Sequence, residues 1–347
     1  MKLRRHAPSP ILSILTYHHI AEHDPSYPYD PEVADANPAQ FRRHLETVAR
    51  HGNPIGIDDV LAAINGAPLP NNPVLVTFDD GYRSCHDVAL PILRSVGIRA
   101  TFFIATSFVS ERRLYWWERI SLLLHQAQHQ AQHKAKHGAK KTAVITYPRP
   151  ITLDLDDGKV KNTLTDLVKD TQNLDLDRFL DELSKALEVE WTPQIEAGHA
   201  NHLIMTWDEV RALARAGMDI ESHGRHHRVL QTLEGAALED ELAGSRRDLE
   251  AQIGRPVRAI AYPVGRRLRG EPRIRDALAA AGYQIGLSNH SGVNRWWPPS
   301  VRRLAPQVAS IDRFDVRRLA TDRDMSDAMF FTQIAVPQLG RISVRNR

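Results

Sequence analysis

Short apolar runs, each followed by a stretch of helical period, alternate along the first hundred residues and again after about residue 206. Ile11 to Thr16, apolar apart from Ser13 and Thr16, is a run of the kind a buried strand needs. Asn37-Pro38-Ala39-Gln40-Phe41 then predicts a helix, with Asn37 as N-cap, proline in the first turn, and Phe41, Leu45 and Val48 on one face. Ile57-Asp58-Asp59-Val60-Leu61 opens a shorter helix with acids in its first turn. A second buried strand is predicted from Pro73 to Phe78. The helix after it starts near Ser84, carries Val88, Leu90, Ile92, Leu93 and Val96, and is closed by Gly97. Arg99 to Ile104 is a third strand. Strand, helix and strand joined by short loops predict parallel pairing.

From about Glu111 to Met205 the alternation is lost. Trp116, Trp117 and Leu122-Leu123-Leu124 suggest a packed helix, and it runs on into His125, His129, His133 and His137 at spacing four. That stripe reads as a solvated low-complexity helix whose i,i+4 pairs could grip a stray transition metal. Ile151 to Leu155 looks like a strand before the turn Asp156-Asp157-Gly158, and more amphipathic helix follows through Leu167, Phe179, Leu180 and Leu187. The main pattern resumes at Thr206, three residues before Glu209 in capping-box spacing. Strands are then predicted at Met218–Glu221, Val257–Ala261 and Gln284–Ser288, with a helix from Leu238 to Ile253. The expected organisation is a main α/β domain over residues 1–320, interrupted by an insertion at about 111–205, with a tail at 321–347 of no readable role.

Composition narrows the chemistry. Hydrophobic residues make up 42% of the chain and charged residues 25%, ordinary for a globular protein. A net charge of +3 is too weak to argue for nucleic acid. One cysteine, Cys85, excludes an internal disulfide and a Cys-rich zinc site, so any metal must be held by His and carboxylate. The basic start Met1–His6 is followed by an apolar run too short for a leader, and no run approaches membrane-spanning length. A cytoplasmic location without a membrane span is therefore expected.

Polar groups collect where strands end. The run from Pro73 stops at Asp79-Asp80-Gly81. Two adjacent acids at a buried strand end repel and lose water, a cost that a metal cation or a basic partner offsets. The plain alternative is a βα turn in which one Asp caps the next helix. Strand one ends in His18-His19, Met218–Glu221 runs into Ser222-His223-Gly224-Arg225-His226-His227, and Val257–Ala261 into Tyr262-Pro263-Val264-Gly265. In a parallel α/β barrel such ends share one face. One Asp plus two His is a facial metal set with positions left for water and substrate, and the second acid can then handle protons. Phosphoryl transfer on Mg2+ is disfavoured, because neighbouring acids on an extended chain point apart and the histidines would go unused.

Three of these stretches resemble, in order, the motifs of the polysaccharide deacetylases, the NodB-homology group of carbohydrate esterases. They are Thr77-Phe78-Asp79-Asp80-Gly81, His223 to His227, and Ala261-Tyr262-Pro263-Val264-Gly265. The resemblance covers roughly residues 10–320. It implies a distorted (β/α)7 TIM-like barrel with a helical insertion, removing N-acetyl groups from an amino sugar or glycan. It also implies one divalent ion, Zn2+ first with Co2+, Ni2+ or Mn2+ as substitutes, on Asp80, His223 and His227, with His226 a live alternative. Asp79 would be the general base, and a backbone N–H in the turn at Tyr262, Pro263 and Val264, by family pattern that of Val264, would hold the oxyanion. The chain departs from the pattern in three places. There is no late Leu-x-His motif to protonate the leaving amine, so His290 and His18 are candidates. Gly224 replaces Ser or Thr. Ala261 stands where many relatives have an arginine that orients the catalytic acid, a part Arg303 could take. A degenerate glycan-binding relative, and the same chemistry on a small non-sugar amide, are the alternatives.

Overall fold

The predicted strand runs close on themselves. A computed structural model describes residues 11–24, 26–135, 142–296 and 311–336. The strands β1 (Ile11–Tyr17), β2 (Pro73–Phe78), β3 (Thr101–Ile104), β4 (Asp219–Ser222), β5 (Ala259–Ala261), β6 (Ile285–Ser291) and β7 (Val316–Ala320) pair in chain order, each parallel to its neighbour. β1 pairs with β2 on one side and β7 on the other, which shuts the seven-stranded barrel. The (β/α)7 architecture expected above is therefore the fold. β7 is the strand the sequence pattern did not show. Two short strands lengthen the barrel where its strands begin: Asn53–Ile55 beside the start of β2, and Asn294–Arg295 antiparallel to the start of β1.

Period-two alternation sorts the side chains. Leu12, Ile14, Leu75, Phe103, Ala259, Ala261, Ile285, Leu287 and Val316 form one buried cluster inside the barrel, joined by Ile57, Val60 and Leu61 from helix Ile57–Ile64. Leu15, Val74, Val76, Phe78, Phe102, Ile104 and Ile260 belong to the second cluster, shared with the surrounding helices.

The helix signals read from the sequence are used. Helix α1 (Pro38–His51) begins with Asn37 accepting the Gln40 N–H at 2.7 Å, and α2 (Leu90–Val96) ends at Gly97, whose φ of 75° suits glycine. A π-helical turn, Cys85–Ala89, leads into α2. Residues 111–205 contribute α3 (Trp116–Ala135), three further helices, and an antiparallel hairpin. The hairpin pairs the expected strand, Ile151–Asp154, with Thr142–Ile145, which was not foreseen. The apolar faces of this region belong to the same cluster as the barrel's outer surface. His125 and His129 sit with their Nε2 atoms 3.1 Å apart, while the side chains of His133 and His137 lie outside the described residues. Helix α4 (Trp207–Arg215) starts with the Thr206/Glu209 capping box, and the helical run Gly235–Ile253 is interrupted by a π turn at Asp240–Gly244.

The final described helix, α5 (Asp327–Ala335), packs on α1. The Phe330 ring stacks on His44 with centroids 3.8 Å apart, and Gln40 Nε2 donates to Met325 O at 3.1 Å. Among the described residues, no helix is long and apolar enough to cross a membrane. Phe330 is fully buried, so Phe330→Ala should lower the unfolding free energy by about 3–5 kcal/mol, measured by urea unfolding followed by circular dichroism.

Candidate metal and active site

Asp79 continues the inward register of Leu75 and Thr77 on β2, so its carboxylate enters the barrel. There it meets Arg318 of β7, which is fully buried. Nη1 and Nη2 of Arg318 donate to Oδ1 and Oδ2 of Asp79, both at 2.7 Å, and Nε donates to the Ser288 carbonyl at 3.3 Å. Burial favours the neutral acid, but the Arg318 charge, with help from His223 and His18, overcomes it and holds the Asp79 carboxyl below the usual carboxylate range. Arg318 thus makes the pairing that the sequence had offered to Arg303, which lies outside the described residues. An inward position on β7 replaces the inward position on β5 that Ala261 leaves small.

Asp80 turns the other way. Its φ of 72° swings the carboxylate out of the strand register, and Gly81 follows at φ 107°. Ala105 N–H donates to the Asp80 carbonyl at 3.0 Å and fixes the turn. Oδ1 of Asp80 lies 3.2 Å from His223 Nε2 and 3.3 Å from His227 Nε2, yet this buried oxygen accepts no aligned hydrogen bond. The His223 Nδ1 lies 2.9 Å from the Ala261 carbonyl, which assigns the proton to Nδ1 and leaves the Nε2 lone pair facing Asp80. A buried carboxylate oxygen facing the His223 lone pair is ill-matched without a cation between them. The three ligand atoms lie within 4.8 Å of one another, a spacing that one divalent ion can bridge. Among the described residues the other such group, His86, Asp87 and Glu209, is more exposed and already engages Arg83.

His226 points elsewhere, with Nε2 3.1 Å from Asp240. His227, at φ 52°, is instead buried against the Trp117 ring, 4.4 Å between centroids. Trp117 itself stacks on Tyr115 and donates from Nε1 to the Tyr82 hydroxyl at 2.9 Å. Trp116 and Trp117 are both buried and serve as packing beside the site.

The two candidate acids part company. His18 Nδ1 lies 2.9 Å from Asp35 Oδ2. Burial works against its charge, but Asp35, Asp80 and Asp79 outweigh it and raise its pKa to about 9. His290 is exposed near the end of β6, and its charged neighbours are Arg267, Arg317 and Asp315 rather than the two acids. In the third turn the Tyr262 side chain is packed away from the rim, its hydroxyl donating to the Phe314 carbonyl at 3.0 Å. The Tyr262 N–H is used by Leu287 O in the sheet, and Pro263 has none. Val264 remains, held at φ 62° and ψ −15°, a costly conformation for a β-branched residue and one met at functional sites.

Comparisons with known proteins bear on the family and the fold. The family model for polysaccharide deacetylases matches residues 66–193 and 148–286, together more than half of the chain. YxkH of Bacillus subtilis (strain 168), a protein named for these deacetylases, is 32% identical over 95 residues, which are 27% of this chain. That match spans about a third (32%) of the relative's length. The structure of the Streptococcus pyogenes deacetylase PplD in complex with acetate superposes with a TM-score of 0.56 at 16% identity, covering 93% of this chain and 96% of that one. IcaB from Ammonifex degensii gives 0.55 at 15% identity, covering 95% and 99%. Fold and rim together define a NodB-type (β/α)7 barrel. The chain belongs to the polysaccharide deacetylase family, whose members are hydrolases of carbon–nitrogen bonds other than peptide bonds.

Arg318→Met leaves Asp79 buried without its counter-charge and should cost about 3–5 kcal/mol of stability. Because Arg318 depresses the folded-state pKa of Asp79, the stabilisation is present above the unfolded carboxyl's pKa and lost as pH falls through the folded one. In Arg318→Met burial of Asp79 is no longer opposed by that charge, so this loss on acidification should shrink or reverse, read from unfolding free energies measured across the acid range.

Proposed function

We propose that this protein is a metal-dependent hydrolase that removes N-acetyl groups from an amino sugar or glycan. The observation that carries the proposal is the convergence of Asp80, His223 and His227 beside an Asp79 kept ionised by Arg318. The acetate in the PplD structure belongs to that protein, and it supports an acetyl group as the acyl part here.

Asp80, His223 and His227 would hold the ion, with Zn2+ the first choice for two imidazoles and a carboxylate. A divalent cation there supplies Lewis acidity to the attacking water and to the acyl carbonyl. Asp79, buried and charged, accepts the water's proton as general base. Arg318 clamps both of its oxygens, so the carboxylate keeps one orientation toward the rim. The Val264 N–H supplies a backbone donor to the oxyanion. His18, protonated by its pairing with Asp35, gives the proton to the leaving nitrogen in place of a late Leu-x-His motif. With that acid available, the missing motif no longer favours a degenerate binding relative.

Acetate release from N-acetylglucosamine oligomers, with and without chelator, is the direct test. Metal-loaded protein inert on every N-acetylhexosamine substrate would overturn the proposal. Asp79→Asn should lose roughly 10²–10⁴-fold in kcat and keep its metal, whereas Asp80→Asn should lose the metal, both read by elemental analysis beside the assay. His18 must be protonated to act, so activity should fall as pH rises through its pKa, which a neighbouring cation brings below about 9. Asp35→Asn removes the main charge raising that pKa, and should move the alkaline limb of the kcat profile to lower pH.

A further inference from the structure

The loop from His223 to Arg228 carries two of the proposed ligands, and five of its six backbone N–H groups donate to identifiable acceptors. His223 N–H donates to Ile104 O at 2.9 Å, and Gly224 N–H to Ser222 Oγ at 3.1 Å. The Gly224 and Arg225 carbonyls accept the N–H groups of Thr106 and Ser107, at 3.3 and 2.9 Å. Of the four amides that follow, one side chain takes three. Glu241 Oε1 accepts Arg225 N–H at 3.1 Å and Arg228 N–H at 3.2 Å, while Oε2 accepts His226 N–H at 2.9 Å. Its side chain is buried, with 1% of the residue exposed, and it stands on the π turn Asp240–Gly244.

The same carboxylate explains a departure from the family pattern. A Cβ at position 224 would lie 2.3 Å from Glu241 Oε1, and the residue holds φ 78°. Glycine is required there twice over, by the backbone angle and by the oxygen that occupies the space. The hydroxyl residue expected at this position is absent because a side chain from another helix fills its place.

We propose that Glu241 is a positioning residue for the metal site: it holds the His223–His227 loop in the shape that aims both Nε2 atoms at Asp80. The inference rests on the metal reading above. Glu241 touches neither substrate nor ion, and acts through the amides that flank His227 and the turn after His223. A glutamine cannot replace it, since its amide –NH2 would face the N–H of His226 or those of Arg225 and Arg228. Asp240, its neighbour, meets the same loop only through the side chains of Arg225 and His226.

Co2+ titration of the full-length metal-free protein tests this, following visible absorption and competition with a chromogenic chelator. Glu241→Gln should bind Co2+ about 10–100-fold more weakly and with altered ligand-field bands, while Asp240→Asn stays within about twofold of the parent. Should Glu241→Gln fail to fold, Gly224→Ala pushes on the same carboxylate from the loop side and is expected to weaken Co2+ in the same way. Parent-like affinity and bands in a folded Glu241→Gln or Gly224→Ala protein, with Co2+ still lost in Asp80→Asn, would overturn the role of Glu241 alone. Absence of any Asp80-dependent Co2+ binding in the parent would overturn the metal reading and this inference with it.

Discussion

Two charges meet inside the barrel, and the site is arranged around them. Arg318 and Asp79 are both buried, and each would be intolerable there alone: the acid would take a proton and the guanidinium would have nothing to satisfy its donors. Paired in a fork, two N–H groups to two oxygens, both stay ionised. Such a pair is weak evidence for extra stability, because desolvation offsets much of the attraction. Its importance lies in what it settles. One acid of the Asp79-Asp80 pair is committed to arginine, which leaves the other to turn toward the histidines. The arginine arrives on β7, the strand whose pairing with β1 shuts the barrel. Closing the fold and orienting the inner acid are therefore one event.

The rim stores backbone strain where its polar groups converge. Asp80, His227 and Val264, one after each of β2, β4 and β5, all have positive φ. Left-handed geometry is tolerable for Asp and unfavourable for a β-branched residue such as Val, so it persists only where surrounding contacts over-determine it. Those contacts are identifiable. The Asp80 carbonyl is held by Ala105, the Val264 turn by the Gly265 N–H to Tyr262 O bond, and the His227 ring by Trp117.

Residues 111–205 take part in this support. Trp117 reaches Tyr82, two residues after Asp80, and the Tyr82 hydroxyl donates to Glu118 Oε1 at 2.6 Å. The Asp30 N–H closes on the other Glu118 oxygen at 2.6 Å, and Lys161 bridges to Asp30 at 2.9 Å. Burial, followed by the nearby Asp30 charge, raises the Glu118 pKa to about 8. A chain of polar contacts thus ties the first loop, the first motif and the helices of residues 111–205 together under the His227 ring. Removing these helices would strip the wall from one of the proposed ligands.

How much of this was readable in the residues follows from which interactions are local. Strand runs, N-caps and the Thr206/Glu209 box declare themselves because the groups that satisfy one another lie within a few residues. The motifs at Asp79-Asp80, His223–His227 and Tyr262–Gly265 were legible for the same reason, and so was the barrel they imply. β7 was not, because Val316-Arg317-Arg318-Leu319-Ala320 places arginine at an inward position, and an inward arginine looks like surface until its partner is known. Thr142–Ile145 was hidden because a hairpin partner is defined only by pairing. Local chemistry gave the sequence its set of donors: two acids, three histidines and a glycine where a hydroxyl residue was expected. Folding alone set His227 rather than His226 beside Asp80, His18 rather than His290 within the field of the two acids, and Arg318 rather than any nearer arginine on Asp79, because these meetings depend on side chains up to 239 positions apart sharing one small volume.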